Sequence, residues 1–220
     1  MEIWLFVVSI VLVLGAQGLV SGTYNKYRNV LSKKEMNGYE VARLILDRNG
    51  LQNIRVEETE GVMSDHYDPR DKVVRLSTAV YHDKTVASIA IAAHECGHVL
   101  QDKDKYMPMK IRGAIVPIVN FASTIGYVVM FIGFIFSLLD LAFWGIVLLS
   151  ATLVFQLITL PVEFNASNRA IKTLDGLRIV EGQERKQVKT MLSAAAFTYV
   201  ASLLANLLEI LRLFISVRRD

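Results

Sequence analysis

Long uncharged apolar runs alternate with charged stretches along this 220-residue chain. Ile3–Val20 has no charged residue and is long enough to cross a hydrocarbon core of about 30 Å as a helix. Gly113–Leu139 and Leu141–Leu160 are two further uncharged runs, separated by Asp140 alone. Ala194–Val217 is a fourth, interrupted by Glu209 and Arg212. Charged residues collect in Ser21–Arg112 and, less densely, in Pro161–Lys189. The pattern predicts an α+β integral membrane protein with three or four helical spans and a small polar subdomain. Its segments are 1–20, an anchor; 21–112, the polar subdomain; 113–160, a membrane hairpin; 161–193, a polar return; and 194–220, a helix that spans or lies on the membrane.

Periodicity resolves the polar subdomain further. Asn37–Arg48 reads as an amphipathic helix with Val41, Leu44 and Ile45 on one side and Asn49-Gly50 as its stop. Asn53–Glu58 alternates like a strand, Glu60–Asp68 reads as a second and Lys72–Leu76 as a third. The turn residues Asp68-Pro69-Arg70-Asp71 separate the last two. Ser77 or Asp83 is placed to cap a following helix, Thr85–Gln101, rich in Ala, Ile and Val.

Composition supports this division. The chain is 53% hydrophobic yet 20% charged, values that coexist only when the two classes are segregated. The first run has no Lys or Arg before it, whereas Lys26, Arg28, Lys33 and Lys34 follow. That asymmetry predicts a signal anchor with its N-terminus outside and the polar subdomain in the cytoplasm. Arg169, Lys172, Arg178, Arg185, Lys186 and Lys189 place the second polar segment on the same side. A fourth full span would carry Arg218 and Arg219 outward, against the rule. The Glu209–Arg212 pair, at i and i+3, can neutralise itself within a helix. A single cysteine, Cys96, excludes an internal disulfide and suits a reducing compartment. No basic run interleaved with aromatics points to nucleic acid, and no glycine-rich loop points to phosphate.

One pentapeptide carries chemistry. His94-Glu95-Cys96-Gly97-His98 puts two imidazoles four residues apart, about 40° around a helix axis, so both reach one tetrahedral Zn²⁺. Glu95 is then placed to take a proton from a zinc-activated water. Cys96, two residues from His94, points away from the shared face and reads as packing. A catalytic zinc site needs a third protein ligand and an open position. The membrane hairpin returns the chain to the side it left, at Pro161-Val162-Glu163. Glu163 is the only acidic residue between Asp140 and Asp175, which makes it the natural third ligand. The other reading of Glu163 is a cap on a helix starting near Pro161. Asp102 and Asp104 lie too close to His98 to approach a metal from a new direction.

AIAAHECGHVLQ, LPVEFNASNRA, SDHYDPRDKVVRLS and the apolar hairpin together resemble the YugP-type family of bacterial membrane zinc metallopeptidases, across nearly the whole chain. The resemblance implies a gluzincin plan: His94, His98 and Glu163 as ligands of one Zn²⁺ per chain, and Glu95 as the catalytic base. Members commonly carry Asp two residues beyond the ligand Glu. Here that residue is Asn165, which accepts a hydrogen bond but brings no charge to an outer-shell pairing.

The expected function is zinc-dependent hydrolysis of peptide or membrane-protein substrates at the cytoplasmic membrane face. Substrate would lie extended along a strand edge, with Lys72–Leu76 as the candidate. His66, Tyr67, His82 and Arg169 are candidate donors to the oxyanion or contacts to substrate. Asn120, Gln156 and Asn206, polar within the spans, either bond between helices or line a path for substrate. The competing class is a membrane scaffold whose zinc merely ties its parts together. A transporter would need more spans, or more charge within them.

Overall fold

The computed structural model describes residues 2–218. Met1, before the first run, and Arg219, in the charge argument on the fourth, lie outside them. The chain folds into two compact units. One comprises Met1–Gly18, Met107–Val162 and Phe197–Asp220; the other comprises Leu19–Tyr106 and Glu163–Ala196.

The first unit consists of apolar helix. α1 (Glu2–Tyr27), α5 (Met107–Ile135), α6 (Leu139–Leu149), α7 (Ala151–Gly176) and α8 (Gly182–Arg218) supply it. Among the described residues four helices, Glu2–Tyr27, Met107–Ile135, Leu139–Gly176 and Gly182–Arg218, are long and apolar enough to span a membrane. The chain is thus an α+β membrane protein, mostly helical with one small sheet. α1, α7 and α8 run beyond the apolar segments that predicted them, whereas α5 starts before its segment and stops at Ile135, short of Leu139. Large apolar side chains such as Trp4, Phe121, Phe131 and Trp144 stand exposed, as lipid-facing positions require. α5 and α6 form a hairpin whose backbones nearly touch. A Cβ on Gly133 would stand 2.4 Å from the Ala142 nitrogen, so no other residue fits there.

Polar groups in this unit find partners across helices. The Asn206 amide donates to Thr152 Oγ1 at 2.9 Å and to Gln156 Oε1 at 3.0 Å. Arg212 lies over the Phe6 ring of α1 and, within α8, pairs with Glu209. Interhelical bonding, rather than a lined path, is what these contacts describe for Gln156 and Asn206.

The second unit holds the sheet. α2 (Gly38–Arg48) starts at a reciprocal cap, with Asn37 Oδ1 accepting from the Glu40 N–H and Glu40 accepting from the Asn37 N–H. It buries Val41, Ala42, Ile45 and Leu46. β1 (Arg55–Thr59), β2 (His66–Asp68) and β3 (Val73–Ser77) follow. Of Glu60–Asp68 only the last three residues are strand, because Gly61 and Met63 take positive φ and bend the chain. The strand order is β1-β3-β2, with β1 parallel and β2 antiparallel to β3.

That order corrects one expectation. The Lys72–Leu76 segment belongs to the central strand, whose ladder bonds are taken on both sides, so it has no edge to offer substrate. A five-residue helix, α3 (Thr78–His82), intervenes before α4 (Val86–Lys103). Neither Ser77 nor Asp83 caps α4. Ser77 precedes α3 and Asp83 ends it, while Thr85 Oγ1 accepts from the Ser88 N–H. Pro161 lies inside α7, so Glu163 sits mid-helix and is not a cap.

Candidate metal centre

α4 is buried on nearly every side, and its run of alanines lets neighbouring backbones come close. The closest approach is at Gly97, within the HExxH segment. A Cβ there would lie 2.5 Å from the Ala166 carbonyl oxygen of α7, so glycine at this position sets how near the two helices pass. His94 and His98 flank Gly97 on α4, and Glu163 lies three residues before Ala166 on α7. Close crossing therefore brings all three together.

Their ligand atoms lie within 4.8 Å of one another. His94 Nε2 stands 3.4 Å from Glu163 Oε2, and His98 Nε2 stands 3.6 Å from it. The rings meet edge to face at 84°. Two ligands on a tetrahedral zinc, with bonds of about 2.0–2.2 Å, stand roughly 3.4 Å apart. Two imidazoles and one carboxylate at this spacing fit zinc in both donor chemistry and size. Asp102 takes Tyr67 and Lys72 as partners, and Asp104 takes Arg169, which leaves both outside the cluster.

The outer faces of the imidazoles are also held. His94 Nδ1 lies 3.2 Å from Ser167 Oγ, and His98 Nδ1 lies 3.0 Å from Gln101 Oε1. With Nδ1 engaged, Nε2 is the nitrogen each ring turns toward Glu163. Ser167 follows Glu163 by four residues, so α7 presents both on one face. Gln101 follows His98 by three and does the same on α4. Sequence reasoning missed both, although their i+3 and i+4 spacing was in plain view. Burial disfavours the charged form of His98, but the neighbouring Glu163 and Glu95 carboxylates outweigh it and raise its pKa.

Glu95 is buried. Asp65, just before β2, feels its charge and is raised above the usual carboxylate range, chiefly by its own burial. The Ser77 N–H and hydroxyl hold the Asp65 carboxylate at 2.8 and 3.1 Å. Two residues on, the Tyr67 hydroxyl donates to Asp102 Oδ2 at 2.8 Å. β2 thus packs beside α4 and is tied to it at Asp102, with its outer edge unpaired by any described strand.

The four candidate substrate contacts are placed differently. His66 is exposed on β2, with Nδ1 2.8 Å from the Ser64 carbonyl oxygen. Tyr67 is committed to Asp102, and His82 to Glu58 Oε2 at 3.1 Å. Arg169 donates through Nε to Asn165 Oδ1 at 2.8 Å and pairs with Asp104. Asn165 in turn accepts from Gln101 Nε2 at 3.1 Å, and Gln101 links it to His98. Cys96 is buried, directs Sγ toward the Ala42 carbonyl oxygen at 3.7 Å, and contributes nothing to the cluster.

Two histidines on one helix, a carboxylate on a second and held outer ring nitrogens form a group that could hold a metal ion. Residues 2–218 match the family described as "Putative neutral zinc metallopeptidase", and the chain belongs to that family. It is 43% identical over 210 residues to the protein named "Putative membrane protease YugP" of Bacillus subtilis strain 168, covering 96% of this chain and 93% of that one. No solved structure matches the chain.

Proposed function

We propose that this protein is a membrane-bound zinc endopeptidase, with His94, His98 and Glu163 holding one zinc ion and Glu95 acting as general base. The observation that carries this reading is the convergence of three ligand atoms beside a buried Glu95, with both outer imidazole nitrogens already held. Zinc, when bound, supplies a Lewis acid that acidifies water and polarises a carbonyl. Glu95 accepts a proton from the attacking water as its oxygen bonds to the scissile carbon. The same carboxyl then protonates the amine nitrogen as the C–N bond breaks.

Substrate adds as an extended strand to the outer edge of β2, which passes beside the helix carrying Glu95. His66, exposed on that strand, is the candidate donor to the developing oxyanion. The basic residues that follow α1, with those of 169–189, support a cytoplasmic catalytic face. Apolar helix directly precedes Glu163 in the chain, which supports cutting substrates that are themselves at the membrane.

Glu95→Gln tests the reading. Zinc should remain near one per chain while peptide hydrolysis falls about 10²–10⁴-fold, the scale of a lost general base. Undiminished hydrolysis in that variant would remove Glu95 from the mechanism. A wild-type protein that holds zinc yet cuts no peptide would favour the scaffold class.

A further inference from the structure

Five polar side chains form one hydrogen-bonded run that passes back and forth between α4 and α7. His98 Nδ1 meets Gln101 Oε1 at 3.0 Å, and Gln101 Nε2 donates to Asn165 Oδ1 at 3.1 Å. The same Asn165 oxygen accepts from Arg169 Nε at 2.8 Å, and Arg169 closes on Asp104, the residue that ends α4. Gln101 is fully buried and His98 nearly so. An amide reversed in such a place would set donor against donor, and buried polar groups do not tolerate that.

The direction of every bond in the run follows from one chemical fact. A guanidinium has only donors. Asn165 must therefore turn its oxygen toward Arg169, and Gln101 answers that oxygen with its NH₂. The Gln101 oxygen then faces His98, so Nδ1 must carry a proton, and Nε2 is the nitrogen left to give a lone pair to a metal. Asp104, an acceptor at the far end, holds the guanidinium in place. The neutral Asn165 suits this run: one oxygen takes two donors, and no second buried charge is created.

We propose that Arg169 is a positioning residue which, through Asn165 and Gln101, fixes His98 in the Nδ1–H tautomer and so aims the Nε2 lone pair at zinc. This rests on the metal-centre reading above and gives Arg169 a task other than contact with the oxyanion. His94 is held separately by the Ser167 hydroxyl, which can donate or accept, so its tautomer does not depend on Arg169.

The test uses the full chain labelled with ¹⁵N-histidine. Four histidines make the ring-nitrogen spectrum assignable. In metal-free protein near pH 8, wild type should show His98 protonated at Nδ1. Arg169→Leu and Gln101→Leu should convert it to a mixture with the Nε2–H form while leaving His94 unchanged. Zinc affinity, measured by chelator competition, should weaken about 10–100-fold in both variants, the scale of an outer-shell loss. Asn165→Asp keeps an acceptor for both donors and should retain the wild-type tautomer, whereas Asn165→Leu should not.

Arg169 is partly exposed, so its variant tests the idea even where Gln101→Leu fails to fold. A wild-type His98 spectrum with undiminished zinc affinity in Arg169→Leu would overturn the proposal. Wild-type protein without measurable zinc binding, but with a His98 tautomer that follows Arg169, would instead sink the metal reading and leave the relay standing.

Discussion

In the membrane unit, Asn206 bonds Thr152 and Gln156, and Arg212 bonds Glu209, so these polar groups meet complements within the unit. In the other unit the buried polar groups are arranged in shells. Ser167 and Gln101 hold the outer nitrogens of His94 and His98, while the inner nitrogens and a Glu163 oxygen gather at one point. The first arrangement links α7 to α8 through Asn206 and pairs two opposite charges within α8. The second leaves three inner atoms that could share one metal ion, and the proposed metal centre rests on that asymmetry between outer and inner atoms.

The largest break in that contrast comes from Glu163→Ala. Removing an inner ligand should cost zinc affinity more than the roughly 100-fold that marks the upper end of an outer-shell loss. Metal analysis after dialysis should find wild type near one zinc per chain and the variant near none. Full occupancy in the variant would refute the three-ligand set.

Gly97→Ala probes the crossing that gathers the shells. Alanine is intrinsically the better helix former by about 1 kcal/mol. Its methyl would however stand 2.5 Å from the Ala166 carbonyl oxygen, and overpacking of this kind costs about 1–3 kcal/mol. The thermal midpoint should fall and zinc affinity should weaken with it. Gly113→Ala on α5, where nothing lies within 4 Å of the added carbon, should leave both unchanged or slightly raise the midpoint. Equal behaviour of the two variants would show that the helices part without strain.

Asn206→Leu tests the first arrangement. Hydrogen bonds between membrane helices average about 0.6 kcal/mol and reach about 1.7. Stability in detergent should fall within that range, and zinc affinity should not change. A variant that lost metal would show that the polar groups of the membrane unit bear on the metal centre after all.

The legible and illegible parts of this chain divide along physical lines. HExxH declares itself because i and i+4 share a face whatever surrounds the helix. Glu163 was reachable from hairpin topology and from being the lone acid in its stretch. Gln101 and Ser167 carry equally good spacing, but spacing does not say which helix faces oppose each other, and their meaning depends on that. Strand order was illegible for a related reason: three short strands alternate similarly, so nothing in Lys72–Leu76 marks it as central. α3 is too short for periodicity to register. The membrane spans were legible as apolar runs, whereas their ends were not, since charged helix formers extend a helix as readily as apolar ones.

Cys96 gives the smallest effect and the finest test of how dry this crossing is. It sits between Glu95 and Gly97, two residues from His94 and from His98, but is fully buried toward α2. Burial pushes its thiol above the usual range, with the Glu95 charge adding to the rise. The thiolate is the reactive species, so native protein at pH 8 should take up almost no N-ethylmaleimide, while unfolded chain should take up one per molecule by mass. The sign of the linkage follows: the unfolded thiol ionises above about 8.5 while the folded one stays protonated, so this group favours unfolding progressively as pH rises past that value. Rapid labelling of the native protein would mean that α4 separates from α2 in the folded state, and with it the frame that holds His94 and His98 would have to be mobile. Slow labelling that is unaltered by zinc would instead show that the metal completes a scaffold already packed around it.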